Sequence, residues 1–439
     1  MKKFQKLLLL LCFSLVTVTL SPALQARLNI EITGGVEGGL PIAVVPFAWE
    51  GIGEVPEAFG AIVKSDLARS GQFTTLDADS MVGLPSTGKM IDFALWRQTG
   101  IDNIVVGRLQ QKSDDQFVIQ FQLFDIHRAM QLSGYSIPTD RASLRQTAHQ
   151  ISDIIYEKLT GVKGAFSTRI TYVMVDTVEQ QRSYRLAVAD SDGFNEQIIL
   201  SSKESLMSPS WSPDGKRLAY VSFEAGHSQI FVQQLANGQR EMVANYPGLN
   251  SAPAWSPDGK QLALTLSKDG NAEIYILNLQ SKKLIRVSRS YGIDTEAVWS
   301  PDGNSLVFTS DRGGKPQLYR VTMVRGQPKG RAKRITFEGR YNARASFSPD
   351  GKQLALIHLD QEGYRIAVLE LASGNLRVLT DTTLDESPSF AANGSMIIYA
   401  TELGGRGVLS AVSSDGRAHQ RLQLNVGDVR EPAWSPYLQ

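Results

Sequence analysis

The feature that most constrains this chain is a repeat of about 44 residues in its C-terminal half. An aromatic residue followed by Ser-Pro-Asp-Gly, or by a degraded or truncated copy of it, recurs at Trp211, Trp255, Trp299, Phe347, Phe390 and Trp434. The intervals are 44, 44, 48, 43 and 44 residues. A period in the low to middle forties with strand-like filling is typical of a β-propeller blade.

Each repeat has room for four short strands. In the repeat that begins at Trp255, residues 256–259 fit a type I turn with glycine in the left-handed position. Strand-like runs follow at 261–266, 273–279 and 284–287. Four antiparallel strands make one blade, and we expect the aromatic residue to pack between neighbouring blades.

The number of repeats predicts how the propeller closes. The six aromatic positions delimit five blades that are continuous in sequence, and only five residues follow Trp434. The remaining strands must therefore come from 168–175, 185–190 and 197–200, paired with a last strand around 430–434. We predict a mainly β fold, with a C-terminal six-bladed propeller over 165–439 whose overlapping closure leaves no free edge.

A signal peptide is expected at residues 1–26. Three lysines precede an apolar run at 7–20 that is shorter than a usual membrane span. Cleavage is predicted after Ala26, with Ala23 as the alternative. The only cysteine, Cys12, lies in this run, so the mature chain has no disulfide or thiolate chemistry. The mature chain should be periplasmic and without a transmembrane span.

Charge argues against a nucleic-acid partner. The net charge is +1, and removing the three lysines of the signal peptide changes it to −2. No segment forms a basic stripe of the kind that nucleic-acid binding requires.

Residues 27–164 lack the repeat and predict a small mixed α/β domain. Helices are expected at 57–70 and 143–159, where apolar residues follow helical spacing and glycines mark the ends. A shorter helix is expected at 91–99. Strands are expected at 28–33, 41–47, 103–109, 117–124 and 131–137.

The sequence carries no catalytic, cofactor or metal motif. Gly-x-Ser-x-Gly is absent, and the five histidines have no metal-ligand spacing. Residues 190–195 weakly resemble a calcium loop but lack its distal glutamate, so a hairpin turn is favoured. An exported hydrolase stays open as the alternative function, because five carboxylates could line the propeller channel: Asp294, Glu296, Asp385, Glu386 and Glu431.

The mouth of the channel is the predicted binding surface. The Ser-Pro-Asp-Gly turns leave the innermost strands, so the segments that enter those strands lie on the opposite face. These segments are 205–209, 248–253, 292–297, 340–345, 384–388 and 428–432. They carry interspersed opposite charges, which suit a protein partner better than a single anion.

Four segments together resemble the TolB family of the Tol–Pal cell-envelope system. They are 38–47 (Gly-Gly-Leu-Pro-Ile-Ala-Val-Val-Pro-Phe), 158–170, 206–215 and the ending Pro-Ala-Trp-Ser-Pro-Tyr-Leu at 432–438. The resemblance covers essentially the whole mature chain. It implies a monomeric, non-enzymatic periplasmic scaffold that supports outer-membrane integrity and constriction during cell division.

The resemblance also implies two partners. TolA would bind the start of the mature chain by strand addition, at Arg27, Leu28, Asn29, Ile30, Glu31, Ile32 and Thr33. The lipoprotein Pal would bind the mouth, at Leu249, Asn250, Ala252, Asp294, Thr295, Glu296, Arg340, Asn342, Arg344, Asp385, Glu386 and Arg430. Other outer-membrane proteins are further expected partners. Pal occupancy is expected to bias whether the N-terminal segment is docked or released.

Overall fold

The computed structural model of the protein describes residues 28–32, 38–179, 181–424 and 427–438. The predicted signal peptide lies outside these residues. Six antiparallel sheets form a six-bladed propeller, which confirms the predicted fold class. Each blade has four strands of its own, and blade 5 also pairs with the N-terminal strand Leu28–Ile32. The first five blades are continuous in sequence. Their strands are Leu206–Trp211, Arg217–Ser222, Gln229–Gln234 and Arg240–Ala244 (blade 1); Asn250–Trp255, Gln261–Leu266, Glu273–Asn278 and Leu284–Arg286 (blade 2); Asp294–Trp299, Ser305–Ser310, Gln317–Val324 and Gln327–Arg334 (blade 3); Tyr341–Phe347, Gln353–Leu359, Tyr364–Glu370 and Leu376–Val378 (blade 4); Glu386–Phe390, Met396–Leu403, Arg406–Ser413 and His419–Leu424 (blade 5).

Blade 6 closes the ring with strands from both ends of the propeller. Its innermost strand, Asp428–Trp434, pairs antiparallel with Arg169–Val178. Gln181–Asp190 and Gln197–Ser202 complete the sheet. The predicted overlapping closure is therefore confirmed.

The Ser-Pro-Asp-Gly turns are held by their own side chains. In blade 2, Ser256 Oγ donates to Asp258 Oδ1 at 2.6 Å and accepts from the Gln261 amide at 2.9 Å. The Gly259 amide closes the turn on the Ser256 carbonyl at 2.9 Å, with a φ of +68° at Gly259. Residues other than glycine rarely adopt this φ.

The repeated aromatic residues link successive blades. Trp255 is buried against Ala219 and Val221 of blade 1. Its indole Nε1 donates to the carbonyl of Ser210 at 3.1 Å. Trp211 repeats the bond across the closure, donating to the Ala433 carbonyl at 3.1 Å.

The N-terminal domain is a mixed α/β sandwich, as predicted. Its sheet has the order Phe73–Thr75, Leu40–Val44, Asn103–Gln111, Gln116–Asp125 and Met130–Asp140, with Ala48–Glu50 also pairing parallel with the third of these strands. Helices α1 (Phe59–Arg69) and α3 (Leu144–Thr160) pack on one face, around Val105 and Phe121.

The short helix α2 (Phe93–Trp96) packs on the other face of this sheet. The helix expected at 91–99 is therefore shorter than predicted. It continues as a single 3-10 turn, Arg97–Thr99, which ends at Gly100 with a φ of +75°. Two further 3-10 turns are Ala78–Ser80 and Gly88–Met90.

Candidate protein-binding site

Every innermost strand of the propeller has a β-bulge at the same place. One residue per blade has a φ between 48° and 56° there, which is uncommon for residues other than glycine. These residues are Ser208, Ala252, Glu296, Arg344, Ser387 and Glu431. A bulge changes the direction of its side chain, and all six of these residues line the central channel.

The channel is narrow, and its charges are largely paired. It encloses about 170 Å³. Arg344 forms an ion pair with Glu431 and lies 3.9 Å from Glu296. Burial opposes the charge of Arg344, but Glu431, Glu296 and Glu386 hold its pKa above the ordinary value.

Four of the predicted mouth residues are buried rather than presented to a partner: Asn250, Asp294, Asn342 and Asp385. Asn250 accepts from the Tyr246 amide at 2.9 Å and donates to the Tyr246 carbonyl at 2.7 Å. Asp294 accepts from Arg312 at 2.5 Å. These side chains fix the entrance segments, so they shape the mouth from within.

The other predicted mouth residues occupy three environments. Leu249, Arg340 and Arg430 are exposed at the rim. Thr295 and Glu386 are half-buried beneath it. The remaining ones, Ala252, Glu296 and Arg344, line the channel.

Several exposed apolar side chains lie in or just before the segments that enter the innermost strands, and they were not among the predicted site residues. Phe337 is 74% exposed and Ile293 is 53% exposed, while Tyr291 is fully exposed. Leu384 precedes Asp385 at the entrance to blade 5 as Ile293 precedes Asp294 at the entrance to blade 3, and it is 50% exposed. A large apolar residue in or just before successive entrance segments was a signal present in the sequence, since clustered exposed apolar side chains mark interaction surfaces.

A cavity of about 360 Å³ opens at the mouth between blades 4, 5 and 6. Tyr341 and Tyr364 meet edge to face on its wall, with ring centres 5.3 Å apart. Glu386 and Arg430 also line it. Burial, with the nearby charge of Glu431, raises the pKa of Glu386. The cavity therefore offers aromatic walls and both signs of charge.

The N-terminal strand Leu28–Ile32 is docked on the propeller. It pairs antiparallel with the outermost strand of blade 5, in a register that places Leu28 opposite Leu424 and Ile32 opposite Gln420. Blade 5 thereby becomes five-stranded. Arg27 and Thr33, the first and last residues of the predicted TolA segment, lie outside the described residues.

A buried charged cluster joins the two domains at the turn 190–194 of blade 6. His149 of helix α3 lies between two carboxylates: its Nδ1 is 2.8 Å from Asp66 of helix α1, and its Nε2 is 3.3 Å from Asp192 of the turn. Arg145 donates to Asp192 at 2.5 Å, and Arg69 donates to Ser191 Oγ at 2.9 Å.

This cluster is better suited to ion pairing than to a metal. Asp66, His149 and Asp192 are grouped closely enough to suggest ligands. However, opposite ring nitrogens of His149 face the two carboxylates, and one metal ion can bind only one of those nitrogens. The guanidinium groups of Arg69 and Arg145 already supply positive charge to the carboxylates. The predicted hairpin turn at 190–193 is present, closed by the Gly193 amide on the Asp190 carbonyl at 2.8 Å.

The cluster predicts a stability that falls at alkaline pH. Burial opposes the charge of His149, but Asp66 and Asp192 raise its pKa to about 10. A group whose pKa is raised in the folded state stabilises the fold fully below its unfolded pKa, which is about 6.5 for histidine. This stabilisation is lost as the pH rises through the folded pKa of about 10. We therefore expect the stability difference between the wild type and His149→Ala to shrink from pH 7 to pH 10. Urea unfolding at several pH values measures it, and a constant difference would contradict the assignment.

Among the described residues, no helix is both long and apolar enough to cross a membrane. The fold and the site together define a two-domain β-propeller protein. Exposed apolar side chains lie near the entrance to its channel, and its N-terminal strand is docked on blade 5.

Family models match both domains. One, described as the TolB amino-terminal domain, matches residues 28–132, and one described as the TolB beta propeller domain matches residues 156–438. The chain therefore belongs to the TolB family.

Similar proteins agree with this assignment. A Tol-Pal system protein TolB from Thioalkalivibrio sulfidiphilus is 54% identical over 439 residues, covering 100% of this chain and 99% of the relative. One from Xanthomonas campestris pv. campestris is 56% identical over 418 residues, covering 94% of each. The crystal structure of TolB from Acinetobacter baumannii superposes with a TM-score of 0.86 at 40% identity, covering 93% of this chain and 100% of that one.

Proposed function

We propose that the protein is a non-enzymatic periplasmic scaffold of the Tol–Pal system that binds Pal at the propeller mouth and TolA through residues 27–33. The observation that carries the Pal assignment is the exposed apolar rim around a mouth of mixed charge. Apolar anchors with a polar surround are the usual anatomy of a protein interface. In this role the protein supports outer-membrane integrity and constriction of the envelope during division.

The environment of the channel carboxylates supports a binding role over the hydrolase alternative. Asp294 is fully buried and paired with Arg312, and Asp385 is buried and bonded to Thr380. Glu296 and Glu431 share the guanidinium of Arg344. Glu386, the fifth carboxylate, is half-buried at the mouth. Within the described part of the chain, four of the five carboxylates are therefore tied to a partner, and Glu386 alone does not make the pair of accessible acid and base groups that glycoside hydrolysis requires.

Direct contact with Pal is assigned to the accessible residues. They are Leu249, Thr295, Arg340, Glu386 and Arg430, together with Tyr291, Ile293, Phe337 and Leu384. The buried Asn250, Asp294, Asn342 and Asp385 position the segments that carry them. Mixing purified residues 27–439 with the periplasmic domain of Pal tests the proposal by gel filtration. Co-elution at one-to-one stoichiometry is expected, and separate elution at micromolar concentrations would contradict it.

TolA binding should depend on an extended N-terminal strand. Ile30→Pro removes a backbone N–H and fixes φ, so it should abolish strand addition to TolA. Ile30→Val keeps the strand propensity and is the matched control. Calorimetric titration with the TolA domain measures both variants. Pal binding should survive in each, and TolA binding by the proline variant at the affinity of the wild type would argue against this strand.

Pal and TolA are coupled in this proposal through the docked strand Leu28–Ile32. If Pal stabilises one position of the strand, the coupling free energy should be of the usual order, about 1–3 kcal/mol. Limited proteolysis of the N-terminal segment, with and without Pal, tests this coupling. A cleavage rate that does not respond to Pal would remove it.

A further inference from the structure

A second, apolar cavity lies in the N-terminal domain, away from the propeller mouth. It encloses about 310 Å³. Its walls include Val44, Phe47, Trp49, Phe59 and Leu109. The volume lies at the lower end of the range of small-molecule sites, about 300–1,000 Å³, and such sites are mostly apolar with a few polar groups.

The cavity lies where α/β sheets usually bind ligands. The strand Leu40–Val44 is central between Phe73–Thr75 and Asn103–Gln111, and all three are parallel. Helix α1 connects Leu40–Val44 to Phe73–Thr75 over one face of the sheet. The connection from Phe73–Thr75 to Asn103–Gln111 carries helix α2 over the other face. The carboxyl ends of the central strands are therefore a topological switch point, where open α/β sheets form a ligand crevice.

Positive charge lies at one end of the cavity. Lys64 is among its lining residues. The N-terminal turn of helix α1 also lines it, without a side-chain cap and without an acidic residue in that turn. A helix N-terminus carries partial positive charge. Glu57, the one acidic lining residue, is paired with Arg145 at 3.3 Å.

The partner of Lys64 is replaceable. Lys64 Nζ lies 2.9 Å from Asp77, whose side chain is 85% exposed. An ion pair with so exposed a carboxylate contributes little to stability. A ligand carboxylate can therefore take the position of Asp77 beside Lys64 at little cost.

The loop at 51–57 borders the cavity and has apolar side chains to offer a ligand. Ile52 is 90% exposed, and Val55, which lines the cavity, is 45% exposed. Trp49 Nε1 donates to the Gly53 carbonyl at 2.9 Å, and the Ile52 amide donates to Gln111 at 3.0 Å. These bonds hold the loop beside the cavity, with Ile52 on the outside.

From these features we propose that the N-terminal domain binds a single-chain fatty acid in this cavity. The acyl chain lies against Phe47, Trp49 and Phe59, and the carboxylate faces Lys64 and the start of helix α1. The small volume selects one chain over a two-chain lipid. The proposal does not depend on the scaffold function, since the cavity and the propeller mouth are separate sites.

Titration of purified residues 27–439 with a dansylated undecanoate, followed by competition with decanoate, tests the proposal. Saturable one-to-one binding that decanoate displaces is expected below the micellar range. Ala61→Trp places an indole in the cavity from an exposed position on helix α1. It should reduce binding more than tenfold while leaving the thermal unfolding curve unchanged.

The carboxylate is tested separately. Lys64→Met should weaken decanoate binding about fivefold, the effect of one partly exposed ion pair, and leave decanol binding unchanged. Lys158→Met, an exposed lysine on helix α3, is the matched control and should change neither. Absence of saturable binding, or binding by Ala61→Trp at the wild-type affinity, would overturn the proposal. An equal loss of decanol and decanoate binding in Lys64→Met would overturn the placement of the carboxylate.

Discussion

Replacing His149 by alanine is expected to lower the free energy of unfolding by about 3–5 kcal/mol, the usual cost of removing one partner from a buried ion pair. His149 is fully buried, and it separates Asp66, 1% exposed, from Asp192, 8% exposed. Without the imidazolium, two buried carboxylates on different domains face each other with less positive charge between them. Urea unfolding with an unchanged m-value measures the loss.

His127 provides the control for this prediction. It also pairs with a carboxylate, Asp102 at 3.1 Å, but its side chain is 59% exposed. His127→Ala should therefore cost at most about 1 kcal/mol. If both substitutions cost the same, the cluster at the domain junction does not stabilise the protein as we describe.

The second large effect is expected at the propeller mouth. Replacing both Tyr291 and Phe337 by alanine should weaken Pal binding by a factor of a hundred or more, because exposed aromatic anchors are the common hot spots of interfaces, at about 2 kcal/mol or more each. Both side chains are exposed, so their loss should not affect folding. Calorimetric titration of Pal into the double variant measures the effect.

Tyr135→Ala is the matched control for the double variant. Tyr135 is an exposed aromatic residue, but it lies on the N-terminal domain, far from the propeller mouth in the chain and in a different sheet. It should leave Pal affinity unchanged. Equal losses in Tyr135→Ala and the double variant would show that the rim is not the binding surface.

The propeller was predictable because its signals are local. A Ser-Pro-Asp-Gly turn is closed by hydrogen bonds within six residues, as at Ser256, so the same four residues form the same turn in blades 1 to 4. Closure followed from counting: Trp434 has too few residues after it to build a blade, and the strand Asp428–Trp434 pairs with Arg169–Val178 as expected.

The roles of individual site residues were less predictable, because burial depends on distant parts of the chain. The sequence pattern places Asn250 and Asp385 on the binding surface, yet both are buried. The Asn250 amide donates to Ser228 and Asp385 accepts from the Ile366 amide, about twenty residues away in each case. The junction cluster is a sharper case. Asp66, His149 and Asp192 belong to three separate elements, and only the packing of the two domains brings them together.

The most direct test of the central claim is a calorimetric titration of residues 27–439 with the periplasmic domain of Pal, repeated with Thr295→Arg and Ser281→Arg. Thr295 is half-buried in the mouth, whereas Ser281 is exposed on the face that carries the Ser-Pro-Asp-Gly turns. Saturable one-to-one binding that is lost in Thr295→Arg and kept in Ser281→Arg is the predicted result. Binding that survives in Thr295→Arg, or no binding of Pal by the wild type, would contradict the assignment of the mouth as the partner site.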